Sequence, residues 1–144
     1  MKIAYTNAGV LQGVALDTEQ LSGDNVATVA DNIAVFGNLC KWRYINSEFV
    51  LAPYMVMVPA KTEAAINESV SVIVTAYNSN GTVATGATDS FSIGHQDGVI
   101  TPDPVTLVAG VAEFFVTAAK AQKVVFAPVS QGWYSEAVMI DFVA

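Results

Sequence analysis

An all-β fold is predicted by three features of the sequence: an antiparallel two-sheet sandwich over residues 54–144, preceded by a small β-rich region over residues 1–53. Short apolar segments alternate with period two. Turn residues separate them at close spacing. No segment carries an i, i+3, i+4 apolar repeat long enough for a helix.

Taken in order, "KIAYT", the turn "NAG" and "VLQGVAL" predict an opening hairpin. "DTEQLSGDN" is a polar connection without a core-facing pattern. "VATVADNIAVFGN" offers two apolar runs split at Asp31-Asn32, where strand pairing is expected to reverse. "KWRYINSEFVLA" predicts a second hairpin with Asn46 and Ser47 at its turn. Pro53 and Pro59 bracket "YMVMV", the first strand of the sandwich, at an edge where proline is tolerated. "AKTEAAINES" alone has helix-forming composition; at this length it is expected to be a turn with one helical loop.

"SVSVIVTAY" alternates cleanly, with Val70, Val72, Val74 and Ala76 on one face and Ser69, Ser71, Ile73, Thr75 and Tyr77 on the other. "NSNGT" supplies a tight turn in which Gly81 is free to take positive φ. "TPDPVTLVAGVAEFFVTA" gives a proline-framed strand, a break at Ala109-Gly110 and another strand; "KVVFA" and "EAVMIDFVA" complete the pattern. Parity places Ala112, Phe114, Val116, Val124, Phe126, Val138, Ile140 and Phe142 inside. It leaves Ile73, Phe115, Val125 and Met139 on outer faces, where half-solvated strands ordinarily turn polar.

The 144 residues are 53% hydrophobic and 13% charged, against about 45–50% and about 25% in ordinary soluble domains. No apolar run approaches the ~20 residues of a membrane-spanning helix, so the excess is assigned to doubly buried strands or to surface that meets a partner. Net charge is −7. The six basic residues are scattered and make no phosphate-tracking patch, so no nucleic-acid partner and no membrane partner is expected. The N-terminus has no apolar core of signal-peptide length, which argues against export. Cys40 is the only cysteine; it excludes an internal disulfide and is expected to be a small buried hydrophobe.

The segments "VSVIVTAYNSNGTVATGATDSFSI" and "TLVAGVAEFFVTA" resemble the bacterial immunoglobulin-like domains of invasin- and intimin-type adhesins, which also recur in tailed-phage virion proteins. The resemblance covers about half the chain and implies an immunoglobulin-like sandwich. "WRYINSEFV" is similar to the start of small phage structural proteins. Together these likenesses imply a virion accessory protein that assembles in the host cytoplasm, with an attachment region ahead of the sandwich.

Nothing in the sequence assembles a catalytic set. His95 is the sole histidine, in the glycine-flanked "GHQDG", and reads as a loop residue. Too few ligands exist for histidine-based zinc binding, and Asp97 and Asp103 lack any calcium-loop spacing. No cofactor, metal or catalytic residue is expected. Binding candidates are therefore the aromatic pairs and the outward apolar residues: Trp42 and Tyr44 on one strand face, Trp133 and Tyr134 in the polar loop "SQGWYSE", with Ile73, Phe115, Val125 and Met139. The expected function is that of a capsid decoration or cement protein binding a major capsid protein or another virion protein, or forming a homo-oligomer. The alternatives are a tail or fibre component, and a carbohydrate- or host-binding module using the Trp and Tyr loop.

Overall fold

The computed structural model describes residues 1–15, 21–29, 35, 38–130 and 132–144. The split expected at Asp31-Asn32 and much of the "DTEQ" connection lie outside them. The chain divides into two compact units, Met1–Ala52 and Pro53–Ala144, both built on β-strands.

In the first unit, β1 (Lys2–Tyr5) lies between β2 (Leu11–Ala15) and β3 (Asn25–Thr28), antiparallel to both. The "NAG" turn closes as expected: Thr6 N–H donates to Val10 O at 2.9 Å and Gly9 N–H to Thr6 O at 2.9 Å. A 3-10 turn, Leu39–Lys41, leads into β4 (Trp42–Ile45) and β5 (Glu48–Leu51). Between them Asn46 and Ser47 take φ of 51° and 65°, the paired left-handed residues of a type I′ turn, whose twist matches that of the flanking strands. Met1, Ile3, Leu11 and Val35 form the core, with Tyr5, Trp42, Tyr44 and Phe49 packed against it.

The second unit is a two-sheet sandwich. Its strands are β6 (Tyr54–Pro59), β7 (Glu63–Ala65), β8 (Val70–Tyr77), β9 (Ser90–His95), β10 (Val99–Thr101), β11 (Val105–Thr106), β12 (Val111–Thr117), β13 (Gln122–Val129) and β14 (Val138–Val143). One sheet runs β10-β12-β8-β6 and the other β11-β9-β13-β14-β7. The β-branched and aromatic content of the long strands suits a pleated, half-buried surface. Val70, Val72, Val74 and Ala76 of β8 and Phe114 and Val116 of β12 meet Val124 and Phe126 of β13 and Ile140 and Phe142 of β14 in one core. At its centre Phe114 and Phe126 stand edge to face across the two sheets, ring centroids 5.7 Å apart at 90°.

Four expectations need correction. "AKTEAAINES" contains no helical loop: Glu63–Ala65 is a strand, and it pairs with β14 in parallel, unlike the other ladders. A segment this short takes its structure from tertiary packing, and here the packing selects a strand: Ala64 reaches the core and Ile66 N–H donates to Val143 O at 3.0 Å. Cys40 is exposed, because the 3-10 turn that carries it buries none of its residues. His95 belongs to no loop; it ends β9, opposite Phe126 and exposed. Trp133, placed on the surface by its polar neighbours, is half-buried against the sandwich core.

Candidate functional site

Strand parity decides which side chains stand outside the sandwich. On the four-stranded sheet the buried residues of β6 are Met55 and Met57, so Val56 and Val58 point outward, 40% and 60% exposed. Register then stacks the outer side chains in rows. Val58, Ile73 and Glu113 lie side by side across β6, β8 and β12. Val56, Thr75 and Val111 form the row on one side of them, and Ser71, Phe115 and Thr101 the row on the other. Ile73 and Phe115, 39% and 38% exposed, sit diagonally in the middle. Val99 of β10 extends the face beyond Phe115. Glu113 is the one charged side chain in these rows, and the Ser71 hydroxyl donates to its Oε1 at 2.5 Å. The result is a mixed surface in which Val56, Val58, Ile73, Val111 and Phe115 stand among the hydroxyls of Ser71, Thr75 and Thr101, with a single carboxylate.

Val125 and Met139 lie on the opposite side of the sandwich. They are direct partners in the β13–β14 register and each is 43% exposed. Their surroundings differ from those of Phe115. The next row holds Lys123 and Asp141, an ion pair at 3.5 Å, with Glu63 beyond. Toward the other edge Ser90 and Thr106 share a hydrogen bond at 2.6 Å. The four outward residues read from the sequence therefore make two separate surfaces; Val129 and Val143 are also exposed on the β13–β14 side, and the Ile73–Phe115 surface is the less charged. Val56, Val58, Val99 and Val111 were not singled out by sequence. In "YMVMV" every residue is apolar or aromatic, so periodicity alone does not tell inside from outside.

The remaining aromatic candidates are tied into structure. Trp42 and Tyr44 are half-buried against the core of the first unit, where Tyr44 meets Tyr5 edge-on at 5.0 Å and Phe49 at 5.2 Å. Between them Arg43 is buried, with Nη1 donating to Trp42 O at 3.1 Å; desolvation pushes the guanidinium below its ordinary pKa, and nearby Cys40 opposes that shift. Tyr134 uses its backbone along β6: its N–H donates to Pro53 O at 2.9 Å and its O accepts from Met55 N–H at 2.8 Å. Its hydroxyl donates to Glu136 at 3.2 Å.

Among the described residues no three His, Cys, Asp or Glu side chains gather where they could hold a metal ion. Asp97 lies in the β9–β10 turn, where its carbonyl accepts from the Gln122 amide, beside an open hollow of about 250 Å³ lined also by Thr117 and Lys120. Among the described residues no helix is long and apolar enough to cross a membrane.

No family model matches the chain, and a search of curated proteins finds no match. Among solved structures, the D00-D0 domain of intimin matches with a TM-score of 0.51 at 19% identity, over 69% of this chain. The match spans 52% of that structure's length. At this identity the likeness is one of fold, an immunoglobulin-like β architecture.

Proposed function

We propose that the chain is a non-enzymatic assembly protein, a capsid decoration or cement protein of a phage virion, that docks on its partner through the outer face of the four-stranded sheet. The observation that carries this reading is the surface around Ile73 and Phe115, with Val56, Val58, Val111 and Val99 exposed about it. The setting on a virion rests on the resemblance of the sandwich and of "WRYINSEFV" to phage structural proteins.

The size of the face favours a repeating partner. Four strands about 4.8 Å apart and about six residues long cover roughly 400 Å², half of the ~800 Å² each partner contributes to a standard stable interface. One such contact is weak. Copies that also touch one another on a lattice are linked, and linkage turns weak contacts into avidity, which is the situation proposed for a protein that coats a shell. Glu113 gives the contact its polarity: the complementary surface is apolar around a basic or hydrogen-bond-donating group, because a carboxylate buried with the Ser71 hydroxyl alone is costly.

The test is co-assembly with the shell protein encoded in the neighbouring open reading frames. The chain is expected to co-sediment with assembled shells and to stay bound as salt is raised, since screening weakens exposed ion pairs and leaves apolar burial intact. Retention on a glycan array that depends on Trp133, with no affinity for shells, supports a sugar-binding module in its place.

A further inference from the structure

Four strands end the two sheets of the sandwich, and three of them are short: β10 and β7 have three residues each and β11 has two. β6 has six, and its outer side pairs with no strand among the described residues. Such an edge is a template for another chain, whose backbone can extend the ladder. The direction of its groups follows from two bonds. Ala60 N–H donates to Ser71 O on β8, while Met55 N–H points the other way, to Tyr134 O. Even-numbered residues therefore face β8, and Met55, Met57 and Pro59 turn their backbone groups to the open edge.

We infer that Tyr134 and Pro59 together guard this edge against a second copy of the chain. An antiparallel twofold pairing of β6 with itself centres on Met57 and opposes Met55 of each copy to Pro59 of the other. Only the central pair keeps both hydrogen bonds. Each Met55–Pro59 pair keeps neither, because Pro59 has no N–H and the Met55 N–H is already held by Tyr134. The parallel bridge between Tyr54 and Tyr134 also covers the edge where the incoming strand would lie. Packing of Trp133 on the core fixes the guard in place. Tyr134 thus acts through its main chain, and the guard leaves the sheet face, rather than the sheet edge, open to partners. The inference is independent of what docks on that face.

The experiment is amide hydrogen exchange at Met57 as a function of protein concentration, in the full chain and in Pro59→Val, Trp133→Ala, which releases the segment whose Tyr134 carbonyl holds the Met55 N–H, and the double variant. A contact through the sheet face leaves this amide open, so the readout is specific to edge pairing. In the unchanged chain exchange should not depend on concentration. In the double variant it should slow about tenfold once about nine-tenths of the molecules are paired, because exchange then proceeds through the unpaired fraction. Should Trp133→Ala prevent folding, Pro59→Val alone opens one end of the edge and must show a smaller slowing in the same direction. Concentration-dependent slowing in the unchanged chain, or none in a folded Pro59→Val or double variant, overturns the inference.

Discussion

Phe114 and Phe115 are chain neighbours on opposite faces of β12: Phe114 is fully buried against Phe126, and Phe115 is 38% exposed on the outer face beside Ile73. The first holds the sandwich together, and the second belongs to the proposed docking surface.

Truncation should separate the two roles. Phe114→Ala removes a ring from a closed core and is expected to cost about 3–5 kcal/mol. Phe115→Ala should cost clearly less, about 1 kcal/mol or below. Denaturant unfolding of the two variants checks this, and equal losses would contradict the assignment of faces.

Gly110 should be intolerant of any side chain. It follows Ala109 at the break between β11 and β12, with φ of 81°, and an added Cβ would sit 2.5 Å from Ala84 O. Gly110→Ala is expected to cost more than about 1 kcal/mol, through both the left-handed backbone and the clash. Gly86, where a Cβ meets nothing within 4 Å, is the control and should change little. Thermal or chemical unfolding reads both.

The alternation of β8, β12, β13 and β14 was legible because each strand carries an unbroken apolar series on one parity and a mixture of polar and apolar residues on the other, and Val72, Val74, Phe114, Val116, Phe126, Ile140 and Phe142 are all buried. Asn46-Ser47, Gly81 and Ala109-Gly110 were legible as turns because all five residues adopt positive φ. The strand at Glu63–Ala65 was not, since its three residues are held by backbone bonds to β14, a partner far along the chain. The outer face was read only in part. Phe115 stood out between Glu113 and Thr117, but Val58 did not, between Met57 and Pro59. Its neighbourhood with Ile73 is a matter of register, which no local pattern encodes.

The loop after β7 should respond weakly to acid. The Glu68 carboxylate accepts from Lys61 and from Ala65 N–H, and these bonds, that to Lys61 first, hold its pKa below the ordinary 4.5. A depressed carboxylate stabilises the fold above its unfolded pKa, and that contribution is lost as pH falls through the folded value. Glu68→Gln should therefore remove a small part of the stability lost on acidification below 4.5 and leave the rest of the pH profile in place. The exposed setting keeps the effect small and salt-sensitive. Unfolding curves taken across that range, at low and high salt, check it.

Partners are proposed to meet the face of β6, β8 and β12 rather than the opposite sheet, and paired charge insertions discriminate between the two faces. Phe115→Asp and Val125→Asp place the same charge on equivalent outward positions of the two sheets. Their binding to assembled shells of the proposed partner protein is measured by co-sedimentation, with folding verified by circular dichroism. Phe115→Asp is expected to lose at least about 2 kcal/mol of binding per contact, as a central anchor does, while Val125→Asp binds like the unchanged chain. Shell binding that survives Phe115→Asp and fails with Val125→Asp would contradict the proposal.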